Sequence, residues 1–276
     1  MPTLPVPLVT SRLSVMRSRL AHMAVLAALL VCSASTAHAA GPTGLLNDTG
    51  QTQCDNGSNV MAACTLGNTG DGATYKRQDG RFGRDPAAPA KVGAGVAGFD
   101  FTPLDASGAA IALTGTPAVP SATPRCIKDN VTNLIWEVKT TSGLQNTANT
   151  YTWYNSNNAT NGGNAGTANG GTCSGGSGCD TEKYVADINA LNLCGFGTSG
   201  WRLPTRRELL GIVLNDGSNP SVDASYFPST QGSWYWTNDT YMPDPSDAWF
   251  VGFDDGGTGA GLKSNSGFVR LVRSGQ

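Results

Sequence analysis

Histidine is almost missing from this chain of 276 residues: there are two, His22 and His38. Both fall in an N-terminal stretch, residues 1–39, with the marks of a signal peptide, so a processed chain would hold none. Arg12, Arg17 and Arg19 form its basic flank, Met23 to Val31 a short apolar run, and Ala37-His38-Ala39 the small residues expected before cleavage at Ala40. A chain without imidazole cannot build a Ser-His-Asp triad, a Cys-His dyad or a His-Glu-x-x-His zinc site. Glutamate is scarce as well. Glu137, Glu182 and Glu208 are the only three, and Glu208 is spoken for as a helix cap, so a carboxylate pair for glycoside hydrolysis is unsupported. The expectation is that the protein is not an enzyme.

Long hydrophobic runs are also lacking. The run from Met23 to Val31 falls short of the roughly twenty apolar residues that cross a bilayer, and no later segment approaches that length, so no membrane span is expected after processing. Positive charge is short too. Loss of Arg12, Arg17 and Arg19 leaves fifteen basic residues against twenty acidic ones, a net charge of −5. That balance argues against nucleic acid as a partner, since such proteins present a basic field.

Six cysteines follow the signal segment: Cys54, Cys64, Cys126, Cys173, Cys179 and Cys194. No CxxC pair exists and no histidine could share a metal, so an even set in an exported chain reads as disulfides. Six cysteines allow 15 connectivities. The expected set is Cys54 with Cys64 and Cys173 with Cys179, each closing a short loop, and Cys126 with Cys194.

Residues 40–123 are rich in Gly, Ala, Asp, Asn and Pro, whereas all six tryptophans lie beyond Cys126, which puts the expected core and a domain of normal size in residues 124–276. Trp201-Arg202-Leu203-Pro204-Thr205 packs a strand end and a turn into five residues. Pro204 biases Leu203 toward an extended conformation, and Thr205 with Glu208 three residues on is a capping box. A helix is predicted from Thr205, with Leu209, Leu210, Ile212 and Val213 on its apolar stripe and Asn215-Asp216-Gly217 as the stop. Asp180 caps a second helix carrying Tyr184, Val185, Ile188 and Leu191 on one side, closed by Gly195. Leu134 to Lys139 reads as a half-buried strand with Leu134, Trp136 and Val138 on one face. Further strands are predicted at Trp234-Tyr235-Trp236, Ala248 to Phe253 and Phe268 to Arg273. Asn155 to Gly178 cannot bury enough apolar surface to order itself and reads as a long surface loop clipped by Cys173 and Cys179. The fold class is α+β: an antiparallel sheet, two short helices and long loops, stapled by disulfides.

Two groups of side chains are candidates for binding. Trp234, Tyr235, Trp236, Tyr241 and Trp249 either pack the core, as about half of an alternating strand must, or stack on sugar rings. In the second case Tyr235, Trp236 and Tyr241 are the ligand-binding candidates, Tyr235 and Tyr241 being the more exposed. Asp239, Asp244, Asp247, Asp254 and Asp255 put oxygen ligands in neighbouring loops, which suits Ca²⁺, although aspartates in turns also serve as caps. Apart from Ca²⁺, no cofactor is expected.

Cys126-Ile127-Lys128-Asp129-Asn130 with Leu134-Ile135-Trp136-Glu137, then Trp201 to Leu210, Tyr226-Phe227-Pro228, Trp234-Tyr235-Trp236, Ala248-Trp249 and Val269 to Arg273 follow one another in an order that resembles the Lcl C-terminal domain family. The resemblance spans roughly residues 124 to 274 and implies a fold similar to C-type-lectin-like and sulfatase-modifying-factor domains. There Trp201, Arg202, Pro204, Thr205 and Glu208 have a structural part. It also implies an exported bacterial domain, of the kind that ends a collagen-like adhesin binding sulfated polysaccharide. This chain departs from that pattern: it has no Gly-X-Y triplets, its processed charge is negative, and only Arg202, Arg206 and Arg207 cluster. The calcium loops of true C-type lectins are not intact, with Trp236-Thr237-Asn238-Asp239 approximating one and Asn219-Pro220-Ser221 a poor stand-in for the other. No cysteine follows Cys194, where sulfatase-modifying relatives carry theirs. The expected function is an exported surface or extracellular binding module, for a glycan or another envelope component. A non-catalytic structural or protein-interaction role is the alternative. The sequence leaves the oligomeric state open.

Overall fold

The computed structural model describes residues 42, 43, 45, 47–55, 61–63 and 90–275. The predicted signal peptide and Cys64 lie outside them. In chain order the strands are β1 (Gln53–Asp55), β2 (Met61–Ala63), β3 (Phe101–Leu104), β4 (Leu113–Thr114), β5 (Val119–Pro120), β6 (Cys126–Asp129), β7 (Leu134–Glu137) and β8 (Tyr151–Thr152). Helices α1 (Thr181–Ala190) and α2 (Arg206–Leu210) follow, then β9 (Trp234–Thr240), β10 (Asp247–Gly252), β11 (Thr258–Leu262), β12 (Ser266–Gly267) and β13 (Val272–Ser274). β13, β7, β6 and β3 form a four-stranded sheet, and β11, β10 and β9 a three-stranded one. Every pairing between named strands is antiparallel, which with the two helices makes the class α+β.

The predicted strand at Leu134 is buried on both faces, not one. Leu134 and Trp136 enter one apolar core with Phe99, Phe101, Tyr226, Phe227 and Tyr235. Ile135, on the opposite face, enters a second core with Cys126, Tyr151, Trp153, Tyr184, Trp201 and Trp236. A sheet lying between two cores has no solvent face for alternation to reveal. Phe99 and Phe101 come from the segment before residue 124, so the core is not confined to the second half of the chain. β3 runs along β6 with Pro103 opposite Ile127, at the sheet edge where proline is tolerated. The described residues between Ala40 and Gly275 accordingly belong to one compact unit.

Both helices stop earlier than predicted. In α1 the Asp180 carboxylate accepts from the Lys183 amide at 2.8 Å, and Tyr184 and Ile188 are buried. Leu191 is exposed instead, because Asn192 and Cys194 take left-handed conformations and turn Leu193 into the core. α2 ends at Leu210. The amide of Leu214 donates to Ser221 O at 3.0 Å and that of Asn215 to Thr49 O at 2.8 Å, so tertiary partners replace the next helical turn while Ile212 and Val213 stay buried.

Cys126–Cys194 and Cys173–Cys179 are joined. Cys54 is disulfide-bonded too, and its expected partner Cys64 lies outside the described residues. The polar loop after Asn155 takes a defined course without apolar burial. Lys263 Nζ, above the Trp153 ring at 4.0 Å, donates to Asn161 O at 2.9 Å, Asn164 O at 2.7 Å and the Thr240 hydroxyl at 3.2 Å. Charge-assisted bonds to backbone carbonyls supply the order that apolar area would not. Among the described residues no helix is long and apolar enough to cross a membrane.

Candidate functional site

The Arg-Leu-Pro-Thr turn is a structural clasp. The Thr205 hydroxyl accepts from Glu208 N at 3.1 Å and Glu208 Oε2 accepts from Thr205 N at 2.8 Å. Arg202 grips the same carboxylate through two bonds of 2.8 and 2.7 Å. Burial pushes the Glu208 carboxyl up, but the bonds from Arg202 and Thr205 outweigh it and hold the group below the usual range. Trp201 is buried in the second core, and the Pro204 carbonyl accepts from Asn238 N at 2.8 Å. Beside this turn a cleft of about 190 Å³ lies among Trp153, Tyr154, Val185, Arg202, Leu203 and Asn238. Asn155, Thr181 and Glu182 complete its lining. Arg202 is committed to Glu208, Glu182 accepts from Ser156 N at 2.7 Å and the Thr181 hydroxyl bonds the Tyr154 backbone at 2.9 Å, so several of its polar groups are already engaged.

A second buried polar group sits under the four-stranded sheet. Glu137 is 0% exposed, yet its carboxylate accepts from Lys139 Nζ at 3.1 Å, Gln145 Nε2 at 3.2 Å, Leu271 N at 2.9 Å and the Tyr184 hydroxyl. Arg270, equally buried, donates to the Glu137 carbonyl at 2.7 Å and to Thr230 at 2.7 Å. Burial lowers the Lys139 pKa against the pull of Glu137, and raises that of Tyr184 well above its ordinary value. Enclosed in this way, and with Arg270 Nε left without a hydrogen-bond partner, the group holds β7 to the Arg270–Leu271 segment and does not meet solvent.

Two of the three aromatic candidates belong to the interior. Tyr235 is 1% exposed and Trp236 0%, because β9 runs between the two cores: Tyr235 points into the first and Trp236 into the second. Neither presents a ring to a ligand, which corrects the expectation that Tyr235 would be exposed. Tyr241 is partly exposed, edge-on to Trp249 at 5.1 Å, with the Arg206 guanidinium stacked 3.9 Å above Trp249.

The five aspartates are dispersed. Asp239 accepts from Arg206 N at 2.6 Å at the start of α2, Asp244 from the backbone and hydroxyl of Ser246 at 3.0 and 2.7 Å, and Asp255 from Gly257 N at 2.8 Å. Asp247 has one buried carboxylate oxygen without a hydrogen-bond partner. Among the described residues no group of three or more His, Cys, Asp or Glu side chains could hold a metal ion. Asp254 and Asp255 stand apart from the others on the β10–β11 hairpin.

That hairpin carries the arrangement that best suits a ligand. Trp234 and Phe250 are partly exposed, with ring centroids 5.3 Å apart and tilted by 52°. They floor a cavity of about 300 Å³ walled by Gly252, Gly257, Thr258 and Gly259 and rimmed by Asp254 and Asp255. The registers Trp234↔Gly252 and Phe250↔Gly259 put all four residues on one face. Phe250 lies flat across β11 because glycine leaves room: a β-carbon at Gly259 would fall 2.5 Å from the ring. Flat apolar faces beside acceptor oxygens suit a ring-shaped ligand with one apolar side and hydroxyls at its edge. Trp234 and both aspartates are legible in the sequence only as separate candidates and Phe250 only as part of a strand; glycine at alternate positions, Gly259 and Gly261, opposite an aromatic strand is the signal that joins them.

No curated protein and no solved structure matches this chain. The model of the Lcl C-terminal domain matches residues 125–273, from the start of β6 to the middle of β13 and thus across both cores, both helices and the hairpin cavity; the chain belongs to the Lcl C-terminal domain family.

Proposed function

We propose that this protein is an exported, non-catalytic binding module whose ligand is a carbohydrate of the cell surface or its surroundings, held on the Trp234–Phe250 floor. The carrying observation is the cavity itself: two partly exposed rings side by side, glycines that keep them open, and two carboxylates at the rim. Export is supported by the disulfides, which persist in oxidising compartments, and by the family. We read the fold as a C-type-lectin-like variant that binds without calcium, since the aspartates expected to ligate it are dispersed.

A glycan array with residues 40–276, run with and without chelator, tests this reading. Binding that ignores the chelator, falls at least about tenfold in Trp234→Ala and survives Arg206→Ala is the expected result. Binding unaffected by Trp234→Ala, or none to any glycan, would refute it. A second reading, a protein-interaction role, is favoured by the stacked Arg206, Trp249 and Tyr241 beside Met242, which is 70% exposed. These residue types dominate protein interfaces, and loss of a partner in Arg206→Ala alone would select it.

A further inference from the structure

We infer that the hairpin cavity selects neutral or amine-bearing sugars and rejects sulfated or uronate-rich ones, an inference that rests on reading the cavity as a glycan site. Its lining holds two carboxylates and no Lys, Arg or His. Both carboxylates lean over the ligand's side of the sheet. Gly252 shares a face with Trp234, and a β-carbon built on it would fall 2.6 Å from Asp254 Oδ1 and 3.2 Å from Asp255 Oδ1.

Their free valences are acceptors. Asp255 Oδ1 is held by Gly257 N, which fixes the side chain and leaves its second oxygen free of that bond. No protein hydrogen bond is made to Asp254 among the described residues. Sugar hydroxyls donate to such oxygens, and an ammonium donates with full charge assistance. A sulfate or carboxylate has only acceptors to offer and meets like charge from two exposed carboxylates, a repulsion felt most at low ionic strength. The floor adds a size limit: about 300 Å³ lies at the lower bound of ligand pockets, so a short stretch of sugar is read, not an extended polyanion.

Titration of residues 40–276 with oligosaccharides of matched length tests the inference, with tryptophan fluorescence as the readout. The three probes are chitosan oligomers, N-acetylated chitin oligomers and heparin fragments, and the variants are Trp234→Ala and Asp254→Asn/Asp255→Asn. Asn keeps the acceptor that Gly257 N requires, so the turn should survive, and denaturation curves verify folding. Chitosan or chitin oligomers binding at least about tenfold tighter than heparin, a preference for the amine that disappears in the double Asn variant, and loss of both in Trp234→Ala are expected. Heparin binding as tightly as the others through Trp234 would overturn the charge selection and leave the glycan site standing. Silence toward all three probes in folded protein would overturn the site and the inference together.

Discussion

Cys126–Cys194 should stabilise the domain about twice as much as Cys173–Cys179, and the difference follows from where each bridge closes the chain. Their sequence separations are 68 and 6. The loss of loop entropy in the unfolded chain scales with the logarithm of that number, giving about 4.4 kcal/mol for the long loop and about 2.2 kcal/mol for the short one at 25 °C. Packing widens the gap, because Cys126 and Cys194 are both buried in the second core and their removal leaves a void, whereas Cys173 and Cys179 are partly exposed. A domain of this kind has about 5–15 kcal/mol in all, so Cys126→Ala/Cys194→Ala would remove a large share of it. Guanidinium unfolding of the two double variants against the oxidised parent measures the costs. Equal losses, or a larger loss for Cys173→Ala/Cys179→Ala, would mean that native contacts and not chain entropy dominate, and the estimate would be wrong.

Glu137→Gln should cost about 3–5 kcal/mol in urea unfolding, because it leaves Lys139 and Arg270 buried without a counter-charge; Lys139→Met should cost under about 2 kcal/mol, since Glu137 keeps Tyr184, Gln145, Leu271 N and the nearby Arg270. Equal costs would contradict that charge balance. Thr205→Ala should lose about 1 kcal/mol through the capping box, read as a shift in denaturation midpoint at constant slope. Stability should climb modestly above pH 8 and fall beyond pH 10. Burial holds the Lys263 ammonium down at about 8 against the pull of Asp247, so the unfolded chain binds the extra proton until its ordinary value is passed. Burial raises Tyr151, Tyr184, Tyr226 (to about 12) and Tyr235, so above pH 10 the unfolded chain sheds protons that the native one keeps. Tyrosinate absorbance from these four should appear with loss of near-ultraviolet circular dichroism; ionisation well before unfolding would oppose the burial.

What the sequence made legible was local. The capping box at Thr205, the Asp180 cap and the short disulfide loop each involve residues within seven positions of one another, and each could be read from residue chemistry alone. Non-local pairing hid the rest. β3 lies in a stretch whose composition suggested little structure, and its place beside β6 depends on a register that no local pattern encodes. Glu137 looked like the polar face of an amphipathic strand; its burial is made possible by Arg270 and Leu271, more than 130 positions away. The alternation in β9 was visible, but a period of two cannot say which half of the rings faces solvent when both sides of the sheet carry a core.

The position of the exposed rings then follows from glycine. Phe250, Trp234 and Trp236 form one row on the second-core face of β9 and β10. At the Trp236 end the row is covered, with its indole donating to Tyr151 O at 2.9 Å. Gly267 packs so close to Trp234 that a β-carbon there would fall 2.6 Å from its ring. Toward the β10–β11 hairpin the cover runs out, and Gly252, Gly257 and Gly259 put no side chain in its place. The same rings that close the core at one end therefore present their faces at the other, beside the Asp254 and Asp255 carboxylates. That is why the candidate site sits on a hairpin turn about forty-five residues past α2 and not on the Arg-Leu-Pro-Thr turn, whose charged groups are consumed in holding one another.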